Sequence, residues 1–230
     1  GGRVRGIALD KRPVSLEVAV KDRYRSRPGA FMRKTVFESP FCSGLFRALS
    51  LLFLKLAGWR RVGRVPDLPR YVMIGAHHTS NWDAPIAIAM VFAFRLKAHW
   101  LVKHTAFRWP FRGVLRWLGG IPIDRTQSAD VVDRMIGVLR ERAEFVMLLA
   151  PEGTRKKVTR WKTGFYHIAR GAGVPIVLSF LDYARKEGGL GPVFYPTGDF
   201  EADMREILAF YAGVTGRHPE RMGALEVPRG

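Results

Sequence analysis

The chain has 230 residues, 47% of them hydrophobic, which is enough to bury the core of a globular domain and excludes a disordered protein. Its 38 lysines and arginines outnumber 20 acidic residues and give a formal net charge of +18, so the surface attracts polyanions such as nucleic acid or an anionic membrane. No RNA-recognition signature, zinc-finger spacing or basic zipper accompanies this charge. The single cysteine, Cys42, excludes an internal disulfide and is consistent with a reducing compartment.

The first 60 residues divide into a basic arm and an apolar helical segment. Residues 1–33 are basic and lack the apolar core of a signal peptide, so we expect an irregular arm that is either simply solvated or in contact with lipid. Within residues 41–59, large apolar side chains recur at helical spacing but are interrupted by Arg47 and Lys55. These charges argue against a spanning helix, and the pattern predicts an amphipathic helix that lies in the lipid interface or packs on the core.

The next patterned stretch, residues 71–83, reads Tyr-Val-Met-Ile-Gly-Ala-His-His-Thr-Ser-Asn-Trp-Asp. An apolar, partly β-branched run ends at Gly75, and a polar turn then leads into the apolar residues 84–94. This succession predicts a strand, a reactive turn and a helix.

Within that turn, His78 and Asp83 are spaced so that the carboxylate can fold back onto the imidazole. A carboxylate bonded to one ring nitrogen fixes the tautomer and leaves the other nitrogen free to take a proton from an alcohol. Ser80, Asn81 and Asp83 also suit helix N-cap positions, so the same residues are compatible with a capping turn that contains a structural histidine.

Strand and helix patterns alternate along the rest of the chain. Strands are predicted at 98–102, 121–125, 145–150, 174–181 and 191–195, and helices at 115–118, 130–143, 165–170 and 203–211, with a loose tail beyond 213. This alternation, without repeats, predicts an α/β layered fold with a largely parallel central sheet flanked by helices. His99 and His104 match no metal-binding spacing, so we expect structural or surface roles for them.

A second polar loop follows the strand predicted at 145–150 and reads Pro-Glu-Gly-Thr-Arg-Lys-Lys from 151 to 157. Gly153 permits close backbone approach, Thr154 supplies a hydroxyl, and Arg155 offers a planar fork for phosphate. Because ligands of parallel sheets gather at the carboxyl ends of strands, we predict an anion-binding loop near the histidine turn.

Together these loops resemble blocks of the glycerolipid acyltransferase family, which includes the 1-acylglycerol-3-phosphate acyltransferases. The first family block, Asn-His-x-Ser-x-x-Asp, matches residues 77–83 except that His77 replaces the asparagine, and the block Pro-Glu-Gly-Thr-Arg is intact at 151–155. Residues 119–125 and 174–177 look like the second and fourth blocks. Four blocks in the family's order make the resemblance specific.

The resemblance implies acyl transfer from a thioester of coenzyme A or acyl carrier protein, used as a co-substrate with no bound cofactor or metal, to the hydroxyl of a lysophospholipid. His78 would be the general base and Asp83 its orienting partner. The implied acceptor phosphate site comprises Arg125, Glu152, Gly153, Thr154, Arg155 and Lys162. Glu152 is open to two other readings, one in which it holds Arg155 and one in which it is purely structural.

The resemblance also favours lipid over nucleic acid as the polyanionic partner. We accordingly expect a basic arm and membrane-associating helix over 1–60, an acyltransferase domain over 61–230, and peripheral attachment to the cytoplasmic face of the cell membrane. Two residues depart from the family blocks: His77 replaces an asparagine, and Leu178 stands where the family often has proline. These departures leave open another lyso-lipid or a glycolipid as the acceptor. A metal-dependent hydrolase with His77, His78 and Asp83 as ligands, or a basic adaptor without catalysis, are the rival classes.

Overall fold

The computed structural model describes residues 34–124, 128–223 and 226–227. In this part of the chain the helices are α1 (Pro40–Leu56), α2 (Asp83–Ala93), α3 (Phe111–Trp117), α4 (Ser128–Glu141), α5 (Gly164–Ala172) and α6 (Phe200–Tyr211). The strands are β1 (Arg60–Val62), β2 (Arg70–Ala76), β3 (Ala98–Lys103), β4 (Gly120–Ile123), β5 (Phe145–Leu149), β6 (Ile176–Asp182) and β7 (Glu187–Phe194). The predictions for the arm 1–33 and for Arg125 lie outside the described residues.

The seven strands form one sheet in the order β1-β7-β6-β2-β5-β3-β4. Strands β6, β2, β5, β3 and β4 run parallel, whereas β7 runs antiparallel to β6 and carries β1 parallel to itself. The predicted α/β fold with a largely parallel sheet is therefore confirmed. Strand β2 lies between β6 and β5, so the turn that follows it emerges at the middle of the sheet's carboxyl edge.

Side chains of β2 alternate between two buried faces because successive residues of a strand point in opposite directions. Val72 and Ile74 belong to the larger core, which includes residues of α4, α5 and α6. Tyr71 and Met73 belong to the core that includes Val91 of α2. This two-sided burial explains the unbroken apolar run and fixes the position of the turn beyond it.

Helix α1 is held to the domain along one edge only. Its Leu54 is buried in a cluster with Ile86 and Met90 of α2, while Phe46 packs between Phe92 of α2 and Trp117 of α3. Leu51 is partly buried against the same cluster, and the other large apolar side chains are exposed: Phe41, Leu45, Leu49, Leu52, Phe53 and Leu56. The helix predicted over 41–59 thus packs on the domain and also presents a wide apolar face to the outside.

Apart from shifts in the bounds of predicted elements, two features of the fold differ from the sequence predictions. Strand β1 was not predicted, because Arg60 and Arg61 are exposed and the strand is defined by pairing with the edge of β7, where Arg60 contacts Glu187 at 2.7 Å. The prediction of a loose tail beyond 213 is wrong: Val214 is buried, and the carbonyl of Thr215 accepts the Tyr183 amide at 2.8 Å. Both contacts join residues that are far apart in the chain, which a local pattern does not contain.

Candidate active site

The His78 imidazole and the Asp83 carboxylate meet at the start of α2. Nδ1 of His78 lies 3.1 Å from Oδ2 of Asp83, whose side chain is only 4% exposed, whereas the His78 side chain is 26% exposed. An ionised carboxylate at this distance favours a proton on Nδ1 and leaves the lone pair of Nε2 free. The structure therefore brings together the pair that the sequence spacing predicted.

The same carboxylate also closes the turn, but it does not cap the helix: the N-cap residue of α2 is Trp82, whose side chain makes no capping hydrogen bond. Oδ2 of Asp83 accepts the backbone amides of Thr79 at 2.9 Å and Ser80 at 2.8 Å, while the Ser80 hydroxyl accepts the Trp82 amide at 3.1 Å. Burial raises the pKa of Asp83, but hydrogen bonds from His78, Tyr183 and the Ser80 amide outweigh it and hold the pKa below 3.8. Asp83 is thus ionised at neutral pH.

Glu152 holds the histidine turn from the neighbouring strand end. Its Oε2 accepts the His78 backbone amide at 2.6 Å, and its Oε1 lies 3.2 Å from Nδ1 of the buried His77. Nε2 of His77 faces a second acceptor, the Tyr211 carbonyl, at 3.2 Å. Satisfying both contacts needs two protons on the ring, or one on the ring and one on Glu152. Both carboxylate oxygens are engaged by the turn, which fits a structural role and not the phosphate contact or the Arg155 pairing considered from the sequence.

The loop predicted to bind phosphate has a compact, exposed form. Gly153 has a left-handed φ of 66°, and a Cβ there would come within 3.2 Å of the Lys162 side chain, so glycine suits this position. The Thr154 hydroxyl accepts the Lys156 amide at 3.3 Å. Arg155 is exposed and makes no hydrogen bond or ion pair within the described residues. Lys162 therefore lies against Gly153, and Arg155 extends from the same loop.

An apolar cavity of about 180 Å³ lies beside the pair, between α2 and the sheet. His78 and Asp83 line it together with apolar side chains from α2 and from strands β2, β3, β5, β6 and β7, among them Met73, Leu148 and Leu190. An apolar cavity of this size holds small apolar groups in preference to water. The site thus places the His78 imidazole, a proton acceptor, beside an apolar cavity.

His99 and His104 do not join the site. Nδ1 of His99 is buried without a hydrogen-bond partner in the described chain, its ring stacks on Phe145 at 4.8 Å, and burial followed by the charge of Arg142 lowers its pKa to about 4. His104 is exposed. Within the described residues no group of three histidine, cysteine or acidic side chains is arranged to hold a metal. His77 instead contacts the Glu152 carboxylate, and His78 contacts that of Asp83.

Sequence reasoning missed Tyr183, which follows the last residue of β6. Its hydroxyl donates to Oδ1 of Asp83 at 2.7 Å. No local pattern indicates this contact, because Tyr183 lies 100 positions beyond Asp83 in the chain. Only its place immediately after a strand, at the edge where His78 and Glu152 also lie, could have drawn attention to it.

The fold and the site define an α/β protein that presents an aspartate-held histidine at the carboxyl edge of a mostly parallel sheet, next to an apolar cavity. The Acyltransferase family model matches residues 60–178, just over half of the chain, and the protein belongs to this family. The family predicted from the sequence blocks is thereby confirmed.

Two proteins of known name resemble parts of the chain. A 1-acyl-sn-glycerol-3-phosphate acyltransferase of Haemophilus influenzae is 27% identical over 151 residues, which cover 61% of each protein. The protein of the same name from Salmonella typhimurium is 32% identical over 109 residues, 44% of this chain and 43% of that protein. The chain therefore matches about three-fifths of the length of the first and less than half of the second.

The crystal structure of the 1-acyl-sn-glycerophosphate (LPA) acyltransferase PlsC from Thermotoga maritima superposes with a TM-score of 0.52 at 17% identity, over 74% of this chain and 76% of that one. At that identity the match supports the fold.

Proposed function

We propose that this protein transfers a fatty acyl group from an acyl thioester, carried by coenzyme A or acyl carrier protein, to the hydroxyl of a lysophospholipid such as 1-acylglycerol-3-phosphate. The observation that carries the proposal is the Asp83-held imidazole of His78 at the wall of an apolar cavity, inside the segment matched by the family. Relatives named 1-acyl-sn-glycerol-3-phosphate acyltransferase support this acceptor class.

In the proposed reaction, Nε2 of His78 takes the proton of the acceptor hydroxyl while the oxygen attacks the thioester carbonyl. The tetrahedral intermediate then expels the thiolate, which recovers the proton from the imidazolium, so protons and bonds balance. Asp83 stabilises the imidazolium and keeps the reactive tautomer. No protein nucleophile is needed, and holding the hydroxyl and the thioester together removes a large entropic part of the barrier.

The apolar cavity supports a fatty acyl group as the transferred unit. Its lining is mostly leucine, methionine, valine and aromatic side chains, with His77 and Ser179 as the polar residues besides the catalytic pair. Each methylene that leaves water for such a lining contributes about 0.8 kcal/mol to binding. We assign the cavity to the acyl chain nearest the reacting carbonyl.

The experiment that tests the proposal is an assay of the purified protein with labelled acyl-CoA, or acyl carrier protein thioester, and a panel of lyso-lipids, with products identified by mass. Formation of a diacyl product from 1-acylglycerol-3-phosphate is the expected result. His77 and Leu178 depart from the family blocks, so lyso-ornithine lipids and glycolipids are included as acceptors. Absence of product with every acceptor and both donors contradicts the proposal.

Arg155 provides a prediction about the acceptor. If its guanidinium binds the acceptor phosphate, Arg155→Ala should raise the acceptor KM by about tenfold or more, since a hydrogen bond to a charged group contributes about 1.5–3 kcal/mol. The thioester KM should stay unchanged, and Arg155→Lys should restore binding in part. Arg205→Ala, which removes an exposed arginine of α6, is the control. Equal changes in both KM values would assign Arg155 to the donor or the fold.

We also propose that the protein attaches peripherally to an anionic membrane, on the cytoplasmic face. Within the described residues no helix is long and apolar enough to cross a bilayer. The exposed apolar face of α1 is adjoined by α3 and the loop before it, where Trp109 is 92% exposed and Phe111 64%. Arg108, Arg112 and Arg116 lie in the same stretch as these aromatic side chains. Basic and apolar side chains together suit insertion of the apolar groups beside anionic head groups. This surface lies on the same side of the sheet as the acyl cavity.

Replacing Leu45, Leu52 and Phe53 together with serine should release the protein from anionic vesicles at low salt. All three side chains are exposed, so the variant should melt near the parent temperature, whereas Leu54→Ser on the buried edge should lower it. Binding by the parent should weaken with salt, because exposed charges are screened over about 10 Å at 0.1 M. Co-sedimentation with vesicles measures both effects. A folded triple variant that binds as tightly as the parent would remove α1 as the membrane element.

A further inference from the structure

The Asp83 carboxylate is held at both oxygens, and the second oxygen has a donor from outside the histidine turn. Oδ2 accepts two backbone amides of the turn and contacts Nδ1 of the His78 imidazole. Oδ1 accepts the hydroxyl of Tyr183 at 2.7 Å, and no other donor to Oδ1 occurs among the described residues. Tyr183 lies beyond residues 60–178, the span of the family match. The donor of this contact thus lies outside the family match, whereas its acceptor, Asp83, lies inside it.

This second contact fixes the plane of the carboxylate. The final side-chain torsion of aspartate is broad, and the bond at Oδ1 adds to the three contacts of Oδ2 in restricting it. With both oxygens bonded, Oδ2 keeps its direction toward Nδ1 of His78. Burial, and after it the hydrogen bond to Asp83, raise the pKa of Tyr183 well above its ordinary value of 10, so the phenol stays a donor at neutral pH.

Tyr183 is itself held by three contacts. The ring of Trp59 meets it edge to face at 4.9 Å, and the guanidinium of Arg217 lies 5.9 Å from its centroid and 5.7 Å from that of Trp82. Its backbone amide donates to the Thr215 carbonyl at 2.8 Å. A side chain fixed by packing, charge and backbone at once can hold a second group in a defined direction.

The segment after α6 also holds the histidine turn directly. The backbone amide of His218 donates to the Thr79 hydroxyl at 3.1 Å, and the Arg221 guanidinium donates to the Thr79 carbonyl at 3.3 Å. A Cβ on Gly216 would come within 2.9 Å of the same hydroxyl, so the backbone passes very close to the turn. Residues 215–221 therefore contact both Tyr183 and the turn that Tyr183 supports.

We propose that Tyr183 is a positioning residue of the His78–Asp83 pair, which holds the carboxylate in the direction that orients the imidazole, and that residues 215–221 hold Tyr183 in place. The proposal rests on the acyl transfer proposed above. Tyr183 acts through Asp83 and touches neither substrate in this scheme. It should therefore affect the rate of the chemical step and leave substrate binding unchanged.

Tyr183→Phe tests the proposal, because it removes the hydroxyl and retains the ring. We expect kcat to fall about tenfold or more, part of the 10²–10⁴-fold that a general base contributes, with both KM values within twofold of the parent. Tyr166→Phe is the matched control: its hydroxyl donates to the buried Asp203 at the same distance of 2.7 Å, away from the site. This control should melt like Tyr183→Phe and keep the parent kcat.

A double-mutant cycle separates positioning from a general structural effect. If Tyr183 acts only through Asp83, adding Tyr183→Phe to Asp83→Asn should cause no further loss of kcat. Losses that multiply would show that Tyr183 acts independently of Asp83 and would overturn the proposal. Parent kcat in the single Tyr183→Phe variant would overturn it as well.

A second measurement does not depend on acyl transfer. Nitrogen chemical shifts of the His78 ring should report the Nδ1-protonated tautomer in the parent and a mixture of tautomers in Tyr183→Phe. If the parent is inactive on every lyso-lipid, the proposed function fails, and these shifts still decide the positioning role. Identical His78 shifts in the parent and in Tyr183→Phe would overturn it.

Discussion

We expect His78→Ala to lower kcat for acyl transfer by at least about 10²-fold, the lower end of what a general base contributes. The imidazole is the group that leaves a free nitrogen beside the cavity, since Asp83 is buried and fully engaged. Alanine removes that nitrogen, but the Asp83 carboxylate still accepts the backbone amides of Thr79 and Ser80. The variant should therefore fold. Steady-state assays beside a thermal melt measure both properties.

The matched control is His104→Ala, which removes an exposed imidazole on the short turn after β3 and should keep full activity. Asp83→Asn should also lose about 10²-fold or more, because an amide neither fixes the tautomer in the same way nor stabilises the imidazolium. It should also melt lower, since the buried anion is stabilised by several donors. Turnover by a folded His78→Ala variant near that of the parent would disprove the assignment.

The ionised state of Asp83 gives this part of the fold a pH dependence. Its pKa is lowered on folding, so its contribution to stability is present above about pH 4 and disappears as the pH falls through the folded value. Asp203 behaves alike: burial raises its pKa, but donors from Tyr166 and Thr197 outweigh this and lower it. Both carboxylates therefore favour the folded state at neutral pH and contribute to its loss in acid.

The parts of the fold that follow from local pattern were predictable from the sequence. A strand buried on both faces reads as a continuous apolar run, and β2 and β5 are such strands. The pairing of His78 with Asp83 needs only one turn of chain, so spacing indicates it. The spacing suggested that the pair could take a proton from an alcohol, and the family resemblance supplied its proposed role in acyl transfer.

Long-range contacts were not predictable, because they depend on where distant segments lie in the finished sheet. Tyr183 reaches Asp83 across 100 positions, and His218 reaches Thr79 across 139. A polar tail rich in glycine and arginine carries no apolar period, so it was interpreted as loose although it covers the turn. The sequence also showed His77 only as a departure from the family block, without the acceptors that surround it.

Glu152 provides the prediction with the largest effect on stability. Glu152→Ala should lower the free energy of unfolding by about 3–5 kcal/mol, because it removes one partner of a buried pair and leaves Nδ1 of His77 without its hydrogen-bond partner and the His78 amide without its acceptor. For a domain of this size that corresponds to a fall in Tm of roughly 10 °C. The turn that carries His78 loses its anchor, so kcat should fall as well. Calorimetry and the transfer assay measure the two effects.

Glu187→Ala is the control for the loss of an acidic side chain. Glu187 contacts Arg60 at 2.7 Å and Arg185 at 3.5 Å, but both arginines are more than half exposed, and an ion pair with an exposed partner contributes at most about 1 kcal/mol. Glu152→Gln should lie between the parent and the alanine variant, since its amide oxygen can serve one of the two donors while the charge is lost. A Tm for Glu152→Ala no lower than that of Glu187→Ala would show that Glu152 does not anchor the turn. His78 would then be held in place by Asp83 and by the contacts of residues 215–221 alone.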